Sequence, residues 1–312
     1  MSVRKYKLLI LVQCIVAGGL CAQQMPQVSH YMFTPQMYNP ASVGFSNSIV
    51  ASAIHRQQWY GMEGAPQTTL VSVDAPIRII QSGVGLNMTN DQIGGIYNNT
   101  TLQLAYNYQL PVWQGVLGMG VQGGLHSMGM GLSGARPPTS EPDPVLQGKE
   151  DLSKFLFDVS LGLFYHVAGK YEIGASLLHI NQPEHQDLAY RQRRCLNLSG
   201  NYHFTLDAFP SINFVPSTLI KYDFTTMQMD LSLVGVHNRQ YWGGLSYRLG
   251  EAVVLMGGLF IKQFQVGLAY DLVTNWLIKG SKMGGGFELF ARCNFNLSVD
   301  RLPKSYKNSR FL

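Results

Sequence analysis

A chain of 312 residues with only 13% charged side chains and 33 glycines is far less charged than a soluble protein of this size, in which about a quarter of the residues are charged. The formal net charge is +5, but Arg4, Lys5 and Lys7 fall in an N-terminal leader, and the remaining 20 Lys+Arg against 18 Asp+Glu leave +2. That balance is too small for a nucleic-acid-binding protein.

Residues 1–22 read as a secretory signal peptide. Arg4, Lys5 and Lys7 form its basic region, Leu8 to Leu20 its apolar core, and cleavage follows Ala22. The core is too short to span a bilayer. Leu20 precedes Cys21 where a lipidation signal wants a small residue, which argues against a lipoprotein. Residues 23–47 are irregular and rich in aromatics, with Tyr31-Met32-Phe33 and then Tyr38-Asn39-Pro40-Ala41. Such a strip is costly to leave in water, so the expectation is a plug-like element in a barrel lumen or at its periplasmic rim.

From residue 48 to 299 apolar and polar residues alternate in runs of about ten, the signature of strands with one greasy and one wet face. Leu102, Leu104, Tyr106, Tyr108 and Leu110 fall on one face; Thr101, Gln103, Ala105, Asn107 and Gln109 fall on the other. The last run sets Phe287, Leu289, Ala291, Cys293, Phe295 and Leu297 against Glu288, Phe290, Arg292, Asn294 and Asn296. The expected strands are 48–56, 67–75, 82–90, 99–110, 115–125, 155–167, 171–180, 194–206, 211–222, 226–237, 241–249, 252–261, 263–274 and 284–297. Their even number, the aromatics near strand ends and the leader predict an all-β fold, a transmembrane antiparallel β-barrel of about 14 strands in the outer membrane. Connections alternate between tight periplasmic turns, as at 168–170 and 238–240, and external loops at 57–66, 91–98, 126–154, 181–193 and 275–283. The short connections near Asp223 and Gly250 depart from this alternation.

The longest loop carries Arg136-Pro137-Pro138-Thr139-Ser140-Glu141-Pro142-Asp143-Pro144, whose prolines exclude it from the sheet. It reads as a solvated loop or as a flap over the barrel mouth. Residues 300–312 form a basic tail, with Arg301, Lys304, Lys307 and Arg310 at spacing three before Phe311-Leu312. Two readings stand for it: a periplasmic docking element, or a strip resting on lipid.

No motif points to catalysis, a cofactor or a metal. Gly118-Met119-Gly120-Val121-Gln122-Gly123 matches G-x-G-x-x-G, but it lies within an expected strand and opens no helix, so close strand packing is the better reading. The eight histidines show no metal-ligand spacing, and His166, His179 and His203 read as polar residues of lumen or interface. No G-x-S-x-G occurs. Cys14 and Cys21 leave with the leader. Cys195 and Cys293 read as lipid-facing apolar residues on separate strands, although an exported setting permits a disulfide. His55-Arg56-Gln57-Gln58-Trp59 flanks the first external loop, and the second strand ends at Asp74-Ala75-Pro76. Arg56 and Asp74 either form an internal ion pair that holds a plug or are independent lumen charges. Tyr31, Phe33, Tyr38, Asn39, Pro40, Arg56, Trp59 and Asp74 are therefore the candidate plug or lumen residues.

Gln27 to Pro35, Tyr38 to Gly44, and Arg56-Gln57-Gln58-Trp59 with Gly64 to Thr68 resemble the PorP/SprF family, as does the ending Tyr306 to Leu312. That family comprises outer-membrane components of type IX secretion and gliding machinery. The resemblance implies a non-enzymatic protein that helps export or surface-anchor substrates bearing a C-terminal sorting domain. The implied partners are periplasmic lipoprotein or peptidoglycan-binding components, the substrates themselves and outer-membrane lipid. The alternative is a fatty-acid-type transporter barrel for small hydrophobic molecules, in which an Asn-Pro-Ala triplet such as Asn39-Pro40-Ala41 occurs in an N-terminal plug.

Overall fold

The computed structural model of the protein describes residues 26–95, 97–130, 152–185, 190–274 and 284–296. The leader, the proline-rich loop and the basic tail, with Arg301, Lys304, Lys307, Arg310, Phe311 and Leu312, lie outside the described residues.

Alternating side chains build a closed 14-strand antiparallel barrel. In chain order the strands are β1 (Ser48–Gln57), β2 (Gln67–Ile77), β3 (Ser82–Ile93), β4 (Tyr97–Val112), β5 (Gly115–Met130), β6 (Leu152–Val167) and β7 (Tyr171–Leu178). A small hairpin, β8 (Glu184–His185) with β9 (Tyr190–Arg191), sits in the next connection. The barrel resumes with β10 (Cys195–Tyr202) and its continuation β11 (Phe204–Leu206), β12 (Phe209–Tyr222), β13 (Met227–His237), β14 (Tyr241–Arg248), β15 (Ala252–Ile261), β16 (Phe264–Val273) and β17 (Gly286–Asn296). Each strand pairs with the next, and β1 closes the ring on β17 from Ser48↔Asn296 to Gln57↔Phe287. Closure removes the two free edge strands an open sheet would have, which a bilayer requires because lipid offers no hydrogen bonds.

One rim carries tight connections, at 78–81, 113–114, 168–170, 207–208, 238–240 and 262–263. The other carries the long ones, at 58–66, 131–151, 179–194 and 274–285. The expected loop 91–98 is shorter than the sequence suggests, because β3 and β4 extend their pairing to Ile93↔Tyr97. β4, β5 and β6 each run for 16 residues, more than the roughly 9–11 that cross a bilayer, so they rise beyond it at the long-loop rim.

The outer wall is apolar: Leu86, Met88, Leu102, Leu104, Val121, Leu161, Leu163, Leu233, Leu245 and Leu268 all point out. Aromatics cluster toward both rims, with Trp113, Tyr241 and Phe264 at one and Phe155, Phe157 and Phe224 at the other. Cys293 lies on the outward face but is covered by its neighbours. Cys195 departs from the lipid-facing reading: it shares a face with Asn197, points inward and hydrogen-bonds Asn197 Oδ1 at 3.2 Å. The even–odd register set by the Cys195↔Leu178 and Asn197↔Ser176 pairs decides this, whatever the polarity of a thiol. Both cysteines are free.

The interior is two-sided. Ile54, Leu70, Val215, Leu219, Val234, Trp242, Val254, Met256 and Phe290, from β1, β2 and β12–β17, form an apolar core. The opposite wall, from β3 to β10, presents Asn87, Asn107, Gln122, Ser160, Ser176 and Asn197 together with glycines. The described part of the N-terminal segment, residues 26–47, lies between the two walls. Its three single-turn 3₁₀ helices, Tyr31–Phe33, Pro35–Met37 and Pro40–Ser42, present Tyr31, Met32, Met37 and Tyr38 to the apolar core. On the polar side its backbone comes so close that only glycine fits in the wall. A Cβ at Gly120 would lie 2.3 Å from Ala41 N, and one at Gly83 would lie 2.3 Å from Val43 O. The G-x-G-x-x-G run of β5 is therefore a contact track for the segment: Gly118 and Gly120 are the residues Ala41 rests against.

Gly120→Leu is expected to force the segment away from the wall at a cost of about 1–3 kcal/mol for overpacking. The barrel itself should still migrate as a heat-modifiable species, with the Tyr31–Tyr38 region newly open to chymotrypsin. Gly243→Ala, whose Cβ would meet nothing nearer than 3.7 Å, is the control. Unchanged protection of the segment in Gly120→Leu would refute the close approach.

Candidate functional site

Strand alternation aims five charged side chains at the interior near the long-loop rim. Arg56 on β1 is registered against Glu288 on β17, and Asp230 on β13 against Arg248 on β14. Asp271 on β16 stands between the two pairs. Arg56 Nη2 binds Asp271 Oδ2, and Arg56 Nη1 lies 3.3 Å from Glu288 Oε2. Arg248 Nη1 reaches the same Asp271 oxygen at 3.1 Å, and its Nε donates to Asp230 Oδ1 at 3.0 Å. All five side chains are at most 4% exposed. Lys221 extends the row over the ring of Tyr38, 5.9 Å from its centroid.

The N-terminal segment completes this network. Ser29 N and His30 N donate to the two oxygens of Glu288 at 2.7 and 2.9 Å. His30 Nδ1 lies 2.6 Å from Glu288 Oε1; an ionised carboxylate only accepts, so the ring nitrogen donates. Ser29 Oγ receives Arg56 Nη1 at 2.9 Å and donates to Asp271 Oδ1 at 3.2 Å. The His30 ring stacks on Phe290 with centroids 5.0 Å apart and meets Trp242 edge-on at 5.5 Å.

A second set of anchors holds residues 36–44. Gln36 Nε2 donates to Ser72 Oγ at 2.9 Å, and Asn107 Nδ2 donates to Val43 O at 3.0 Å. Asn39 caps the third 3₁₀ turn by accepting from Ala41 N at 2.9 Å, while its Nδ2 donates to Leu163 O at 2.8 Å. That reach is open because the neighbouring wall residues are Gly162 and Gly174; a Cβ at Gly162 would lie 2.1 Å from Asn39 Oδ1. Burial, reinforced by Asp230, pushes the phenols of Tyr31 and Tyr38 well above the ordinary tyrosine range, so both stay neutral.

Of the candidate residues, Tyr31, Tyr38, Asn39, Pro40, Arg56 and Asp74 are buried and Phe33 partly so. The structure does not pair Arg56 with Asp74. On β2, Asp74 stands opposite Val50 and Arg56 opposite Thr68, three inward steps apart. Arg56 goes to Glu288 and Asp271, while Asp74 Oδ2 accepts from Gly44 N at 3.0 Å. Trp59 joins neither group; it sits in the 58–66 loop with φ +48 and is partly exposed. Sequence reasoning missed Glu288, Asp271, Asp230, Arg248 and the role of His30. The available signal was charge at inward parity in strands of a sparsely charged chain.

Residues 20–293 match the family described as type IX secretion system membrane protein PorP/SprF. The chain belongs to the PorP/SprF family. No curated protein sequence matches it. Among solved structures it is similar to the Acinetobacter baumannii outer membrane protein Omp33, at 7% identity and TM-score 0.45, covering 80% of this chain and 97% of that one. It is also similar to the Ralstonia pickettii toluene transporter TbuX, at 11% identity and TM-score 0.48, covering 83% and 93%. A Pseudomonas aeruginosa FadL homologue shows 13% identity and TM-score 0.44, covering 88% and 96%. Likeness at this level carries no functional argument. Family and barrel together make the protein an outer-membrane component of type IX secretion.

Removing one member of a buried charge network strands the others, at about 3–5 kcal/mol. Arg56→Met is therefore expected to destabilise strongly in denaturant unfolding from detergent micelles, as is Glu288→Leu. The Arg56→Met/Glu288→Leu double variant should lose clearly less than the two single losses added together. Strict additivity would show that the two residues are not coupled.

Proposed function

We propose that the protein is an occluded barrel of the type IX apparatus that assists the export or surface attachment of proteins bearing a C-terminal sorting domain, docked to periplasmic components and not acting as an open pore. The observation that carries this reading is an N-terminal segment buried between the two inner walls of the barrel, in a member of a secretion-system family. The void beside Tyr31, Met32, Pro35 and Tyr38, against β6, β7, β10 and β12, measures about 10 Å³, room for one water at most. Beside these residues there is no room for a small hydrophobic molecule. A roomier groove, about 520 Å³ and including Ala53, His55, Leu259, Leu268 and Leu289, opens on the lipid side of the wall.

In this reading residues 26–47 are the plug, and the partners are lipoprotein or peptidoglycan-binding members of the machinery. The basic tail is the docking element. Its four cations meet an acidic partner or anionic headgroups at about 1 kcal/mol each near a charged surface, and Phe311-Leu312 supply an apolar anchor.

Deleting the gene and comparing surface and medium proteomes tests the function: selective loss of proteins with a C-terminal sorting domain is expected, and an unchanged pattern would sink it. In planar bilayers the wild-type barrel should conduct weakly, and removal of residues 26–47 should raise conductance; a freely conducting wild type contradicts occlusion. Truncation after Val299 is expected to leave insertion intact and to reduce export. Export at the wild-type level would show that the tail does not dock.

A further inference from the structure

Among the described residues, a second buried titratable cluster stands apart from the charge network, on the polar side of the interior near the long-loop rim. His126 on β5, Asp158 on β6 and His179, the residue after β7, bring ligand-type atoms within 4.8 Å of one another. The three are 5%, 1% and 3% exposed. Asp158 Oδ2 lies 2.9 Å from His179 Nδ1 and 3.5 Å from His126 Nε2. The longer approach is not a hydrogen bond. His126 Nε2 has no hydrogen-bond partner, and neither does the second carboxylate oxygen, Asp158 Oδ1. Polar atoms left unpaired at this depth are costly, and here a ring nitrogen and a carboxylate turn toward the same small space.

We propose that His126, Asp158 and His179 form a binding site for a divalent transition ion of the zinc class. Two imidazoles and one carboxylate make a borderline donor set that favours such ions over magnesium or calcium. Ligand atoms about 2.0–2.2 Å from a tetrahedral zinc stand roughly 3.3 Å apart, and the 2.9 and 3.5 Å spans bracket that spacing. Three protein ligands leave the fourth position to water.

The surroundings are those of a ligand set held in place. Thr101 Oγ1 lies 2.9 Å from His126 Nδ1 and keeps the ring turned with Nε2 toward the carboxylate. The Gln192 amide lies 3.1 Å from His179 Nε2. Turned by half a rotation, that amide offers its oxygen to an Nε2–H once Nδ1 binds metal. His179 itself sits at φ +55, a left-handed conformation uncommon for its type, and its N–H donates to Ser160 Oγ at 3.3 Å. An ion here ties β5 to β6 and to the connection that leaves β7, which already hydrogen-bonds β6 through Ile180 N to Val159 O and Asn181 Nδ2 to Phe157 O. The site rests on geometry alone and holds whether or not the secretion reading does.

The test uses the full-length, untagged protein in detergent micelles, stripped with chelator and titrated with Co²⁺. One saturable equivalent with the strong visible bands of four-coordinate cobalt is expected, displaced by Zn²⁺. Asp158→Asn and His126→Gln should each lose at least about 100-fold in affinity, and Thr101→Val about 10-fold, as for the removal of an outer hydrogen bond to a ligating histidine. His203→Gln, on the polar side but outside the cluster, should bind as wild type. Heat-modifiable migration verifies that each variant is a folded barrel, and if Asp158→Asn fails to fold, His126→Gln carries the same expectation. Absence of saturable binding in the wild type overturns the proposal, as does binding unchanged in the folded ligand variants. Loss of metal without loss of export would leave the site standing and separate it from the secretion role.

Discussion

Glu288 has no contact with water, and its negative charge sets the terms for everything around it. A carboxylate in that position is tolerable only when its lone pairs are filled by donors, and preferably by a positive charge. The wall supplies one such partner, Arg56, directly across the β1–β17 seam. The rest come from Ser29 and His30. The barrel wall is thus electrostatically incomplete without the first described residues of the chain. Buried ion pairs of this kind add little net stability compared with well-packed apolar side chains, but they are intolerant of the wrong partner. What they confer here is register: Ser29 and His30 have one place to go, and the aromatic stack of His30 on Phe290 and Trp242 fixes the angle at which they arrive.

The interior is divided by chemistry as well as by charge. Where β12–β17 face inward, Val, Leu, Met and Trp give a core like that of a soluble protein, and the segment meets it with tyrosine and methionine. Where β3–β10 face inward, the wall recedes to glycine and amide side chains, and the segment meets it with backbone. One short peptide is held on one side by apolar area together with the Ser29 and His30 contacts to Glu288, and on the other by hydrogen bonds from the wall to its backbone. Its three 3₁₀ turns are too short to be stable alone, so the surroundings dictate its shape.

The strands were legible because period-two alternation is a direct consequence of the pleat, and a lipid-facing wall makes it nearly continuous. Closure of β1 on β17 follows from the same pattern. The boundaries were less legible: β4 to β6 grow beyond the membrane because pairing can continue in water once started, and nothing in the alternation marks where lipid ends. The site was legible in part. Aromatics at Tyr31 and Tyr38 advertise a need for burial, and Arg56 stands out as a charge at inward parity. Its partner was not recoverable, because Asp74, Asp271 and Glu288 are all acids on strands adjacent to β1 or next to its neighbour, and only registry to the residue decides among them. Cys195 shows the same limit from the other side: residue type suggested lipid, while position in the pleat put it inside. His126, Asp158 and His179 lie on three different elements and have no sequence spacing to betray them.

The contacts that fix Ser29 and His30 to Glu288 span 259 and 258 positions of the chain. In a chain made and exported from its amino end, the leading peptide therefore travels ahead of every strand it will rest against, while its last partner is the final strand to appear. Contacts so distant in sequence form late. The seam between β1 and β17 and the seat of the leading peptide share their residues, since the arginine and the peptide amides meet at the same glutamate. A chain that stops short of β17 has neither a closed wall nor a home for its beginning. The interior thus joins start to finish through residues that are all present only when the whole barrel is.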